Sequence, residues 1–251
     1  LRPTVNFPSP MNVMNLLNHE VDLNISLLKY HYSDLKISQK LALHTSEFDD
    51  KTMRERLDSL GCASSYIIIH PSTGRGNREW GEQRYALLLS KISKEFGGSV
   101  IFTGSIHDIE KNDSIINLAG SDENCINLAG KTSVKQLKSL IKNAQLVIGT
   151  DTGPTHMAAA FSRPVVSISP TKYVKPLRWG PFQSPHAIVG KPQNCSLVCN
   201  PHQCQLPDCC QSPSRMCLSI SSIRHNGICR TNCALILSCR YAVIILFCGI
   251  T

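Results

Sequence analysis

Residue types that do chemistry crowd into one short stretch, "VIGTDTGPTHMAAA" (147–160): a carboxylate (Asp151), a hydroxyl (Thr152), a turn residue (Gly153) and an imidazole (His156). An apolar run stops there and an alanine-rich helical pattern begins. Three chemistries fit. Asp-Thr-Gly is the active-site triplet of aspartic proteases. A glycine turn opening a helix is an anion cradle, because free N–H groups and the helix dipole favour negative charge. Asp151 and Thr152 also serve as plain helix caps. The protease reading fails on context, since it needs a β-rich fold and a second carboxylate, whereas Pro-Thr-His-Met-Ala-Ala-Ala starts a helix. Pro154 suits the first helical position, having no N–H to lose.

Two further loops gather polar residues. "HPSTGRGNREW" (70–80) combines small residues, which let a ligand approach the backbone, with the positive charge of Arg75 and Arg78. It fits a diphosphate, or it is an ordinary surface loop. Its glycine spacing matches neither the Walker pattern nor the dinucleotide fingerprint. "SPTKYVKPLRWGP" (169–181) carries Lys172, Lys175 and Arg178, and reads equally as a closing loop or a solvated basic one.

The elements that must position these loops alternate. "SYIIIH" (65–70), "SVIFTG" (99–104), "CINLAG" (125–130), "QLVIGT" (145–150) and "PVVSIS" (164–169) read as strands. Helices are expected over 82–97, closed by Gly97, and over 108–120, 133–144 with Ser133 as N-cap, and 153–161. Such alternation implies βαβ units and a parallel sheet covered on both faces. Ligands then sit at the carboxyl ends of the strands. Ahead of this region, a helix is expected around 11–18, polar connections follow, and 46–62 reads as a helix ended by Gly61.

Of 251 residues 42% are hydrophobic, so a globular core is expected, and the net charge of +8 favours anionic partners. No cleavable signal peptide is visible, and the absence of an initiator Met leads us to expect truncation at the N-terminus. Of the 12 cysteines, only Cys62 and Cys125 precede residue 195. "CSLVCNPHQCQLPDCCQSPSRMC" (195–217), with His202, fits zinc binding or disulfide pairing, although its spacing is not a paired C-x-x-C arrangement. "ALILSCRYAVIILFCGI" (234–250) is short for a membrane span and Arg240 interrupts it. A non-native tail, as from a frame change, is the preferred reading and a membrane anchor the alternative.

Residues 60–217 resemble glycosyltransferase family 9, the heptosyltransferases that build the inner core of lipopolysaccharide. The resemblance is carried by "YIIIHPSTGRGNREWGEQRYALLLSKI", "VIFTGS" and "INLAGKTSVKQLKSLIKNAQLVIGTDTGPTHMAAAFSRPVVSISPT", above all by the order and spacing of "LAGKTSVKQL" and Asp151-Thr-Gly-Pro-Thr-His156. It implies an α/β fold with a Rossmann-like parallel sheet of GT-B type, its N-terminal domain truncated. The implied organisation is a remnant of the acceptor-side domain and linker over 1–60 and a nucleotide-sugar-binding domain over 61–190. A Cys-rich segment over 191–220 and an apolar tail of uncertain origin over 221–251 follow.

The resemblance further implies that Ser72 and Thr73 touch a diphosphate, that Arg78 stands where the family often has Lys, and that Thr132 lies by adenine or ribose. Asp151 would hold sugar hydroxyls or orient His156, while Thr152, Gly153 and His156 would bind phosphates. Trp80 matches, but Gly81 replaces the family's Pro. The general base is expected in the missing N-terminal domain, so no catalytic residue is assigned. No cofactor and no metal are implied. The implied partners are an ADP-sugar donor, a lipid A–Kdo type acceptor and the anionic inner-membrane surface, with no nucleic acid. The implied place is the cytoplasm, with peripheral attachment to the inner membrane left open. The implied activity is transfer of heptose from ADP-heptose to the inner core. Two rivals stand beside it: a non-catalytic nucleotide-sugar-binding remnant, and a zinc-binding nucleic-acid module suggested by the charge and the cysteines.

Overall fold

The run Tyr66–His70 (β1) is apolar and rich in β-branched residues, and Ile67, Ile68 and Ile69 are fully buried. A strand covered on both faces reads as such an unbroken run. Its side chains still alternate, Ile67 and Ile69 entering one core and Tyr66 and Ile68 the other. The computed structural model describes residues 19–32, 34, 36–38, 40–73, 79–120, 124–169, 176–190, 219–224, 227–229, 235–239 and 242–246.

Five more strands run parallel to β1: β2 (Ser99–Phe102), β3 (Cys125–Asn127), β4 (Leu146–Thr150), β5 (Val165–Ser169) and β6 (His186–Gly190). Their order is β3-β2-β1-β4-β5-β6, that of the doubly wound Rossmann sheet. The expected α/β class and parallel sheet are therefore what the chain forms. β6 was not expected. Beyond it, β7 (Ser219–Arg224) and β8 (Gly227–Cys229) continue the sheet antiparallel, and β9 (Leu235–Cys239) pairs antiparallel with β10 (Ala242–Leu246) in a separate sheet.

The helices are α1 (Glu20–His31), α2 (Glu47–Ser59), α3 (Glu82–Glu95), α4 (Ile109–Ala119), α5 (Val134–Asn143), α6 (Gly153–Ala160) and the short α7 (Pro176–Trp179). Tyr85, Leu89 and Ile92 of α3 and Ile115 of α4 pack with Ile67, Ile69, Phe102 and Ile148 on one face. Met53 and Leu57 of α2, Leu140 and Ile141 of α5 and Ala158 of α6 pack with Tyr66, Ile68, Ile101 and Val147 on the other.

Local chemistry explains most helix ends. Ser133 and Gln136 form a reciprocal capping box at the start of α5, with bonds of 3.2 and 2.9 Å. Ser46 caps α2. α3 ends differently from expectation: its C-cap, Phe96, is already extended at φ −106° and ψ 112°, so Gly97 does not close it.

The helix expected around 11–18 lies outside the described residues, and α1 occupies part of the stretch read as polar connections. Its anchors are tertiary. Glu20 pairs with Arg178 at 2.7 Å, and His19, the N-cap, accepts from the Val21 N–H and donates to the Gly180 carbonyl at 2.8 Å. α2 is tied to α5 by the Asp50 carboxylate, which accepts from Ser139 at 2.6 Å, Lys142 at 2.7 Å and Thr45 at 2.9 Å. Burial opposes ionisation of Asp50, but these donors outweigh it and hold its pKa below the ordinary value. Among the described residues no helix is long and apolar enough to cross a membrane.

Candidate functional site

Strand order decides where a ligand crevice can lie. From β1 the chain winds outward through β2 to β3, then crosses back and winds the other way through β4 to β6. The loops leaving β1 and β4 therefore diverge at the carboxyl edge, the position at which doubly wound sheets bind ligands. β1 and β4 are direct neighbours there, His70 opposite Gly149. A Cβ on Gly149 would come within 2.9 Å of the His70 carbonyl oxygen and 3.2 Å of Thr155, so glycine keeps β4 close to both β1 and α6.

The loop after β1 starts with a closed polar cluster. Ser72, only 4% exposed, donates its hydroxyl to Asp108 Oδ1 at 2.5 Å. Asp108 Oδ2 accepts from the Ser105 N–H and hydroxyl, each at 2.7 Å. Lys111 Nζ donates to Glu79 at 2.7 Å and to Ser72 Oγ at 3.3 Å, and lies 3.7 Å from Asp108 Oδ1. Burial pushes the Asp108 carboxyl up, but the bonds from Ser72 and Ser105 and the nearby Lys111 charge prevail and hold it below the ordinary range. A Cβ on Gly104 would meet Asp108 Cβ at 2.7 Å, so that position must stay bare for Asp108 to fold over the end of β2. Beside the cluster His70 Nδ1 lies 3.0 Å from the Thr103 hydroxyl, and burial holds its pKa down at about 4.

The loop after β4 is built differently. Asp151 Oδ1 lies 2.8 Å from His156 Nε2 across the start of α6. The His156 side chain is 38% exposed and that of Asp151 is 17% exposed. A carboxylate only accepts, so Nε2 carries the hydrogen. Asp151 Oδ2 and His156 Nδ1 have no hydrogen-bond partner among the described residues. Thr152 is the N-cap of α6, and its carbonyl accepts from the N–H of Thr155 at 3.1 Å and of His156 at 3.3 Å. The Thr152 N–H is spent on the Thr155 hydroxyl at 3.2 Å. Pro154 has no N–H, which leaves Gly153 as the amide of that first turn without a described partner.

The structure thus brings Ser72, Thr73, Asp151, Thr152, Gly153 and His156 to the two loops of the switch point. Thr132 lies on the same edge of the sheet, in the turn between β3 and α5, with β2 between its strand and β1. Arg78, Arg75, Lys172, Lys175 and the Cys-rich 195–217 lie outside the described residues. Arg178 is engaged by Glu20 of α1. Gly81 is the N-cap of α3 at φ +98°, a conformation closed to the Pro that the resembled family has at this position.

Asp108, Lys111 and Glu79 were missed as site residues. The pattern Ser105-Ile-His-Asp108 is a capping-box signature that sequence alone offers, but it does not reveal the reach to Ser72. Among the described residues no cluster of three His, Cys, Asp or Glu side chains is placed to hold a metal ion.

Residues 10–209 match the family described as glycosyltransferase family 9 (heptosyltransferase). Lipopolysaccharide heptosyltransferase 3 of Escherichia coli (strain K12) is 32% identical over 158 residues, covering 60% of this chain and 43% of that protein. Lipopolysaccharide heptosyltransferase 1 of Campylobacter coli is 35% identical over 104 residues, covering 41% of this chain and 30% of that protein. The crystal structure of the glycosyl transferase family 9 from Veillonella parvula DSM 2008 superposes with a TM-score of 0.62 at 19% identity, over 69% of this chain and 49% of that one. In each case less than half of the other protein is matched.

Proposed function

The chain belongs to glycosyltransferase family 9, and from that premise we propose that its β1 and β4 loops bind the diphosphate and sugar of ADP-heptose for transfer to the lipopolysaccharide inner core. One observation carries the reading: Ser72 and Thr73 on one side, and Asp151 through His156 on the other, meet at the switch point of a Rossmann-ordered sheet. On this reading residues 61–190 form the donor-binding domain. Leaving of a nucleoside diphosphate develops negative charge, which preorganised donors absorb. Thr73, Arg78, the Gly153 N–H and His156 are assigned to that charge, and the Thr152 hydroxyl, which donates to the Thr150 carbonyl at 3.3 Å, joins them by leaving that bond. Ser72 has given its only hydroxyl proton to Asp108, so its share in phosphate binding requires breaking that bond. Asp151 Oδ2 takes a sugar hydroxyl, and Thr132 is assigned to adenine or ribose.

The acceptor is a lipid A–Kdo type glycolipid, its hydroxyl deprotonated by a base in an acceptor-side domain. The net charge of +8 supports work in the cytoplasm against an anionic inner-membrane face. Calorimetry on the intact chain with ADP-heptose, ADP and adenosine tests the donor site. ADP-heptose binding tighter than ADP, and ADP much tighter than adenosine, is expected. Equal binding of ADP and adenosine removes the diphosphate from the site. ADP release in the presence of a lipid A–Kdo acceptor separates a transferase from a non-catalytic binding remnant.

A further inference from the structure

The turn that opens α6 is nearly self-satisfied. Thr152, Thr155 and His156 have spent their N–H groups inside the turn, and Pro154 has none. A single amide is a thin welcome for a diphosphate, so further positive charge is needed beside it. The side chain within that turn that can supply it is His156.

Asp151 dictates how it does so. Because Oδ1 holds Nε2–H, the neutral ring shows a lone pair at Nδ1, and a lone pair repels a phosphate oxygen. Once Nδ1 takes a proton from solvent, the same edge donates, and the new charge lies against the Asp151 carboxylate. No bond breaks. The ring gains one proton when the anion enters and returns it when the anion leaves.

The geometry points to Asp151 as a positioning residue that acts through His156, making diphosphate binding at the switch point coupled to uptake of a proton at His156 Nδ1. This deepens the donor-site reading above and rests on it. Little else described near the ring competes. α6 packs against β4, β5 and α5. β4 and β5 carry no ionisable side chain. On α5, Lys138 is bonded to the His44 carbonyl, Lys142 to Asp50 and Thr45, and Lys135 is exposed at its first turn.

The experiment is calorimetry of ADP binding to the intact chain and to His156→Gln and Asp151→Asn. Two buffers of different ionisation heat are used at each pH, from about 5.5 to about 8.5. ADP's own phosphate titration is common to all three proteins and cancels in the differences. The parent is expected to take up more protons per ADP than His156→Gln, and its affinity to fall as pH rises, by up to about tenfold per pH unit. His156→Gln flattens that fall. Asp151→Asn is expected to take up fewer protons per ADP and so to change the pH profile, because the charge that forms on the ring no longer has a carboxylate at 2.8 Å. A merely structural carboxylate would not move the profile. ADP binding with equal proton uptake in the parent and His156→Gln overturns the coupling and leaves the donor site standing. An unmoved profile in Asp151→Asn overturns the positioning role. No ADP binding at any pH overturns this inference and the donor site together.

Discussion

The loops leaving β1 and β4 lie side by side, yet they use charge in opposite ways. After β1, Ser72, Asp108, Lys111 and Glu79 satisfy one another, and the Asp108 carboxyl is the hub. After β4, Asp151 and His156 spend one atom each on their mutual bond and leave Oδ2 and Nδ1 without described partners. A closed cluster fixes backbone geometry and resists change. An open pair keeps acceptors and donors in reserve for something that arrives. The same sheet edge therefore combines a rigid wall and a responsive one, and the difference is set by local connectivity, since in both loops a carboxylate accepts from a side-chain donor.

If the β1 side is the rigid wall, the largest effects on stability should come from it. His70 keeps a pKa of about 4 against an ordinary 6.5, so the unfolded chain binds more protons between those values. Stability is full above about pH 6.5 and is lost as pH falls toward about 4, by on the order of 3 kcal/mol. Urea unfolding across that window checks it, and His70→Asn should remove most of this slope. Asp108→Ala strands the Ser72 hydroxyl and the Ser105 N–H and hydroxyl at once and should cost about 2–3 kcal/mol by the same measurement.

The responsive side sharpens the contrast through ligands. Arg78→Ala should weaken ADP by about 1.5–3 kcal/mol and spare adenosine, because a charge-assisted contact to phosphate is lost. Calorimetry showing equal losses for both would take Arg78 out of the phosphate site. The smallest expected effect is on folding by Asp151→Asn. It should change unfolding free energy by less than about 0.5 kcal/mol, since the pair is partly exposed and asparagine is nearly as good near a helix start. A loss as large as that of Asp108→Ala would erase the distinction between the two loops.

The sequence reveals one kind of information well. β1, β4 and α6 are legible because an apolar run, a turn and a helix pattern follow one another within a few residues, and Ser133 with Gln136 announces α5 in the same way. What depends on contacts distant in the chain is hidden. Asp108 bonds to Ser72 across 36 positions, with α3 and β2 between them, and nothing in either neighbourhood encodes that meeting. α1 is held by residues 178 and 180, far along the chain, so its own sequence reads as a connection. Gly97 misled because glycine closes a helix only where the chain turns left-handed, and Phe96 has already gone extended. The Asp151–His156 pair was within reach, as an i, i+5 spacing over a helix start, but the proton's position on the ring required the bond itself.

The most direct measurement is the ratio of ADP-heptose to ADP affinity in the parent and in Asp151→Asn at one pH. The contribution of His156 to the diphosphate is common to both ligands and cancels in the ratio. What remains is the contact between Asp151 Oδ2 and a sugar hydroxyl. If the switch point holds the donor as proposed, the ratio falls by about tenfold in the variant, the loss of one charge-assisted hydrogen bond. An unchanged ratio contradicts the sugar contact and leaves Asp151 as the partner of His156 alone.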